Sequence, residues 1–150
     1  MAPTPGSAIF VDTNILIYAS FPESVFHVVA RTRLSELESA GAQFWTSRQT
    51  LREYLAATTR PGAFVPAPSP VTIVRAVRQF EIQFEIADEN AGVTADLLDL
   101  LELRGAQGKQ IHDANIAATM RRYHIPYLLT HNTADFVRYA PDISVLPLIH

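Results

Sequence analysis

Of the fifteen acidic residues in the chain, four stand where carboxylate chemistry is conceivable: Asp12, Glu53, Asp113 and Asp135. Asp12 ends the apolar run "AIFVD" and is followed at once by Thr13, Asn14 and a second apolar run. A carboxylate at the end of a buried strand needs a helix cap, a cation or a metal ion to offset its desolvation. Glu53 sits in "TSRQTLREYLAATTR", about one and a half turns into the helix this segment predicts. Asp113, in "GKQIHDANIAATM", shares a helical face with Ile116, Ala117 and Met120, which draws it inward. Asp135 belongs to "LLTHNTADF", a strand running into a polar turn. Carboxylates that face one another repel unless a dication neutralises them. Oxygen-only ligands select Mg²⁺ or Mn²⁺ over zinc. Such ions polarise a phosphoryl oxygen and activate bound water near neutral pH, the chemistry of phosphodiester hydrolysis.

Each acid also has a plainer use. Asp12 can cap the turn through the amides of Thr13 to Ile15. Glu53 can be a surface residue beside a helical arginine, and Asp113 can pair with Lys109 one turn away. Asp135 and Asn132 can organise their own turn. Asp96, Asp99 and Glu102 recur on one face of a leucine-rich helix and are expected to be its solvated side. No ligand spacing links His112, His131 and His150, so a zinc triad is not expected. An Asp12 acting as phosphoryl-accepting nucleophile is a competing reading, but haloacid-dehalogenase-like sites place a second Asp where this chain has Asn14. A phosphorylated receiver domain would need more acids beside the first strand. A module that holds RNA or a protein without cutting remains the alternative from outside enzymology.

The elements that must position these residues alternate in type. Residues 8–12 read as a buried strand, 13–19 as a short helical turn, and Ser24 to Ala40 as a helix stopped by Gly41. A second strand over 42–46 leads to a helix capped by Ser47 and running to about Thr59. "RPGAFVPAPSP", with four of the ten prolines, is loop. A helix over about 70–80, a strand at 84–87, helices over 89–105 and 108–124, and strands at 125–130 and 143–147 complete the chain. The alternation predicts an α/β sandwich on a largely parallel sheet. If the first strand and "YLLT" are parallel neighbours, Asp12 and Asp135 share one sheet edge, where Glu53 and Asp113 can reach them.

A chain of 150 residues fits a single domain, expected over 8–150 after a short flexible lead-in over 1–7. Cysteine is absent, which excludes disulfide scaffolds, thiolate metal sites and cysteine nucleophiles. No apolar stretch is long enough to span a bilayer and "MAPTPGS" is unlike a secretory signal, so a cytoplasmic location is expected. The net charge of −3 argues against a nonspecific polyanion binder, so any basic RNA-binding surface must be local. Eleven of the twelve basic residues are arginine. Arg48 and Arg52, near Glu53, are expected to be solvated on their helix surface, with clamping of a nucleic-acid phosphate as their alternative use.

"VDTNILIYA", a glutamate in the helix after the second strand, and "HDANIAATMRRYHIPYLLTHNTADF" together resemble the PIN domain, and more narrowly a VapC-type toxin of a type II toxin–antitoxin pair. The likeness spans residues 8 to 147. It implies a three-layer α/β/α sandwich with a central, largely parallel sheet, and a Mg²⁺- or Mn²⁺-dependent endoribonuclease. The family's acids match Asp12, Glu53 and Asp113, and its fourth falls on Asp135, although Asn132 occupies the place where some relatives carry an acid. Thr13, Asn14, Thr130 and Asn132 are then the polar groups supporting the metal ligands. The resemblance also implies a homodimer, inhibition by a cognate VapB-type antitoxin, and a structured RNA such as tRNA or rRNA as target.

Overall fold

The computed structural model describes residues 2–149; His150 lies outside them. The first strand, β1 (Ala8–Val11), is β-branched and aromatic and lies at the centre of a five-stranded sheet. Its neighbours are β2 (Gln43–Ser47) and β4 (Tyr127–Thr130), with β3 (Glu85–Ala87) and β5 (Ser144–Pro147) outermost. Every pairing is parallel, and Phe10 sits opposite Trp45 on one side and Leu128 on the other. The order β3-β2-β1-β4-β5 means that the chain builds outward in one direction and then restarts beside β1. A parallel sheet wound in this way leaves a crevice at the carboxyl ends of the two strands flanking the restart. Here those strands are β1 and β4.

Side chains alternate across the strands, so each face of the sheet has its own core. Ile9, Val11, Tyr127 and Leu129 pack with Leu16, Ala30, Leu37, Tyr54 and Ile73. These residues come from α1 (Thr13–Ser20), α2 (His27–Ser39), α3 (Arg48–Thr59) and α4 (Pro70–Gln83). Phe10 and Leu128 face the other way, onto Val93 and Leu100 of α5 (Ala91–Arg104) and Ile116 and Met120 of α6 (Gln110–Arg122). The expected α/β/α sandwich is what forms. No helix among the described residues is long and apolar enough to cross a membrane.

The boundaries have local causes. Ser47, Ser69 and Asn90 cap α3, α4 and α5 by accepting the amides of Thr50, Thr72 and Val93. α5 ends at Gly105, whose φ of +66° favours glycine. α2 starts at His27 rather than Ser24 because Ser24 is spent in a turn: its amide donates to Phe21 O and its Oγ accepts from Phe26 N at 3.1 Å. Residues 4–7 turn back on themselves and bond to the start of β2, with Gly6 N donating to Gly41 O and Gln43 N to Ser7 O.

Asp96 corrects the expectation of a solvated acid face on α5. It is 7% exposed, because α6 packs along α5 and brings two arginines onto it. Arg122 Nε lies 2.9 Å from one Asp96 oxygen and Arg121 Nε 3.6 Å from the other. Gly92 makes the approach possible, since a Cβ there would stand 2.7 Å from Arg122 Nε. Asp99, by contrast, is largely exposed. Removing Asp96 leaves two cations without their shared partner. Because both arginines are partly in solvent, screening reduces the loss well below that of a fully buried pair. Asp96→Ala is expected to lower unfolding stability by about 1–2 kcal/mol in urea titration. In the double variant with Arg122→Ala the two losses should fall short of adding.

Candidate active site

Asp12 follows β1 directly and begins α1. It is 6% exposed, and its donors among the described residues are all neutral. Thr13 N donates to its Oδ1 at 2.8 Å, capping the helix. Thr130 Oγ1 donates to Oδ2 at 2.8 Å, and Asn14 Nδ2 to the same oxygen at 3.3 Å. Asn14 also takes His131 N on its Oδ1 at 3.1 Å, while Asn132 N donates to Thr130 Oγ1 at 3.0 Å. Thr130 ends β4, so the parallel pairing of β1 with β4 is what delivers its hydroxyl to Asp12. Burial nevertheless outweighs these bonds and pushes the Asp12 carboxyl up to about 6; the charge on Glu53 adds to the rise.

Glu53 is held at both oxygens. Thr13 Oγ1 donates to Oε2 at 2.8 Å, and Gln49 Nε2 donates to Oε1 at 2.7 Å. Gln49 also donates to His112 O at 2.9 Å and accepts Asn115 Nδ2 at 2.7 Å on its own oxygen. Sequence reading passed over Gln49. A glutamine four residues before a glutamate on a helix reads as a surface pair, yet this one is 5% exposed. The i, i+4 spacing to Glu53 was the one signal available.

Asp113 stands in the first turn of α6, where the helix dipole favours an anion. It is half-buried, and its carboxyl is pushed up to about 6 by loss of water first, then by the charges of Asp135, Asp12 and Glu53. Asp12, Glu53 and Asp135 thus all lie within electrostatic reach of Asp113, and Glu53 within reach of Asp12. The expected alternative for Asp113 is not found: among the described residues no ion pair joins it to Lys109. Asp135 is exposed in a 3₁₀ turn (Thr133–Asp135), and Asn132 is exposed just before it.

The donor set is oxygen throughout and carries uncompensated negative charge, which suits a hard dication. As placed, the acids are spaced more widely than ligation requires: among the described residues no three His, Asp or Glu side chains form a group able to hold a metal ion. Electrostatic reach exceeds ligand reach, and two of the acids are turned toward Thr13, Gln49, Asn14 and Thr130 instead. Arg48 and Arg52 lie on the exposed side of α3 and are already engaged. Arg48 meets Glu81 at 2.6 Å and Asp88 at 3.1 Å, and Arg52 meets Glu89 at 3.3 Å.

With this geometry in hand, comparison with known proteins is decisive for the class. The PIN domain family model matches residues 9–141, and the chain belongs to that family. No curated protein sequence matches it. Among solved structures it is similar to VapBC2 from Rickettsia felis, bound to a DNA fragment from its promoter. The two share 20% identity over 93% of this chain and 98% of the other, with a TM-score of 0.68. A toxin–antitoxin complex from Klebsiella pneumoniae is 26% identical over 95% of this chain and 98% of its own, at TM-score 0.63. VapC20 of Mycobacterium tuberculosis, described as a Sarcin-Ricin loop cleaving toxin, is 19% identical over 80% and 86%, at TM-score 0.60.

The raised carboxyls have a consequence for stability. Asp12 and Asp113 move from 3.8 to about 6 on folding, so the folded protein binds protons more tightly than the unfolded chain. Their contribution is fully present below pH ~3.8 and is lost as pH rises through about 6. Other groups titrate in the same range, so the comparison to make is between variants. Without divalent ions, the stability of wild type relative to Asp12→Asn should fall by up to about 3 kcal/mol between pH 4 and pH 7. Urea unfolding at several pH values reads this directly, and a pH-independent difference would contradict it.

Proposed function

We propose that this chain is a Mg²⁺- or Mn²⁺-dependent endoribonuclease of the VapC toxin type, acting as one nuclease domain over residues 8–150. The observation that carries the reading is the gathering of Asp12, Glu53 and Asp135 within electrostatic reach of Asp113 at the β1/β4 crevice, where among the described residues no lysine or arginine pairs with any of the four. As placed, no three of them form a group able to hold an ion, so holding one would require these four side chains to turn inward together, with Asp135 rather than Asn132 as the fourth. Asp135 is favoured because its charge is the largest electrostatic influence on Asp113. When bound, the ion supplies neutralisation of the acids and activation of a water toward the scissile phosphate.

The chain's own residues supply position. Thr130 and Asn14 fix the Asp12 carboxylate, and Thr13 ties Glu53 beside it. Asn132 braces Thr130 through its amide. An RNA phosphate reaching Arg48 or Arg52 would replace the carboxylates of Glu81, Asp88 or Glu89. The class of substrate, structured RNA such as tRNA or rRNA, is supported by the Sarcin-Ricin loop cleavage ascribed to the Mycobacterium neighbour. A VapB-type antitoxin is supported by neighbours that are toxin–antitoxin complexes. For a protein partner, antitoxin or second copy, the chain offers an open groove floored by Phe44, Phe80 and Phe84, and the exposed Val71, Val74 and Ile82 on α4. A cytoplasmic setting follows from an RNA target.

Purified protein incubated with RNA should cut it in Mg²⁺ or Mn²⁺ and stop when chelator is added. Asp113→Asn should lower the rate by about 100-fold or more, the scale of losing several kcal/mol of charge stabilisation at the transition state. Circular dichroism should show an unchanged fold. Equal cleavage by this variant would remove the assignment, and RNA binding without cleavage under every metal condition would favour a non-catalytic module.

A further inference from the structure

We propose that Arg138 and Lys109 form a phosphate-binding lip beside the crevice, a subsite for a neighbouring phosphodiester of the RNA strand rather than for the one that is cut. The proposal rests on the RNA reading above and asks nothing of the metal. An acid-lined crevice on a chain of net charge −3 repels a polyanion unless cations stand at its mouth. Of the twelve lysines and arginines, Arg48, Arg52, Arg104, Arg121 and Arg122 already meet carboxylates. Arg31, Arg33, Arg75 and Arg78 belong to α2 and α4, in the layer on the Ile9 face of the sheet, and Arg60 follows the C-terminal end of α3. Lys109 and Arg138 remain. Lys109 immediately precedes α6, whose first turn carries Asp113. Arg138 belongs to the 3₁₀ turn Val137–Tyr139, which follows the turn carrying Asp135.

Arg138 is half-buried, and its guanidinium is pinned along one edge. Nη1 donates to Gly105 O and to Gln110 Oε1, both at 3.2 Å. Both acceptors are neutral, and among the described residues no carboxylate pairs with Arg138. The acceptors are themselves held. Gly105 and Gly108 give their turn its shape at φ of +66° and +56°, and Gln110 Oε1 also takes Gln107 N at 3.0 Å. These bonds use both protons of Nη1 and leave three, on Nε and Nη2. Neither nitrogen has a partner among the described residues, and both still reach solvent. That free edge presents the parallel pair of N–H groups that fits two oxygens of a phosphate. Gln110 stands three residues before Asp113 on α6, which places the guanidinium about one helical turn from the acid. Lys109 is exposed, lacks an ion pair among the described residues, and adds a second charge on a flexible stem. Arg48 is the contrast. Its Nε and Nη1 are taken by Asp88 and Glu81, so a phosphate there must first displace a carboxylate.

Fluorescence polarisation of the full chain with a fluorescein-labelled single-stranded RNA oligonucleotide in EDTA tests the lip without metal or cleavage. Arg138→Gln should raise the Kd about 10-fold. Between about 50 and 200 mM salt it should also flatten the dependence of log Kd on log salt by ~0.7, the share of one phosphate contact on a single strand. Arg138→Lys keeps the charge and loses the fork, so its salt dependence should stay at the wild-type value while its Kd still rises several-fold. Arg75→Gln removes an equal charge from α4 and should alter neither. During cleavage in Mn²⁺, Arg138→Gln should raise KM for the same RNA and leave kcat within a few-fold of wild type. Arg138→Gln also gives up the bonds to Gly105 and Gln110. Should it fold poorly, Lys109→Gln breaks no side-chain bond among the described residues and should raise the Kd roughly 3-fold. Unchanged Kd, salt dependence and KM in the folded variants overturn the proposal and leave the nuclease reading intact. An oligoglutamate peptide that binds wild type but not Arg138→Gln, while RNA binding is the same in both, gives the lip to an acidic protein and overturns it as well. Absence of both RNA binding and RNA cleavage in wild type overturns the proposal and the nuclease reading together.

Discussion

A buried carboxylate without a cationic partner governs this molecule. Asp12 is surrounded by donors that are all neutral, from Thr13, Asn14 and Thr130. Hydrogen bonds of this kind favour the ionised form, and loss of water favours the protonated one. Here loss of water wins, leaving the carboxyl near 6. Two of the three donors need particular secondary structure to be present. Thr130 arrives only if β4 pairs beside β1 in the observed register, and the Thr13 amide is free only because α1 begins there. The crevice is therefore a place of electrostatic repulsion, built by one of the two central pairings of the sheet.

That repulsion is distributed through the fold by short connections. α1 follows β1 without a loop, and α3 follows β2 in the same way, capped by the last residue of the strand. Each direct strand-to-helix junction places polar residues of the first helical turns at the carboxyl edge. Thr13 comes from one junction and Gln49 and Glu53 from the other. α6 arrives differently. It follows α5 after a break at Gly105 to Gly108 that lets it begin at the rim with no side-chain cap on its first turn. The acid of that turn, Asp113, is then stabilised by the helix itself and destabilised by its neighbours.

The layers and the edge were legible because they rest on periodicity. The strands read at 8–12 and 125–130 form over Ala8–Val11 and Tyr127–Thr130, and Ser47 read as a cap, from local pattern alone. Asp12 was conspicuous because a charged residue ended an apolar strand, and Asp113 because apolar residues share its helical face. Glu53 was harder, since nothing in "LREYL" distinguishes a rim-facing glutamate from a solvated one. Its direction depends on how α3 lies against β1, which is a tertiary matter. Asp96 was misjudged, and Gln49 passed over, for the same reason. Nothing local sets either apart from a polar helix surface, and each is buried by a second helix whose approach no local pattern encodes. Gly92 left a trace of that approach, but a single glycine in a helix has too many explanations to be read alone.

The two most buried acids show how structure separates what sequence cannot. Asp12 and Asp96 are exposed to nearly the same small extent, 6% and 7%. At Asp96 two arginines supply positive charge from the neighbouring helix, so the charge is answered within the protein itself. At Asp12 no ion pair is found among the described residues, although the chain is rich in arginine and two of them stand on α3. Those two are engaged by Glu81, Asp88 and Glu89 on the outer side of the helix. Had an arginine filled the crevice, the rim would be more stable and chemically closed, because a tethered cation cannot give way to substrate or bring water with it. A crevice whose negative charge is ordered by amides and hydroxyls alone remains open to a charge from outside. The difference between Asp96 and Asp12 is therefore not burial, which they share, but whether the fold has already set a cation against the charge.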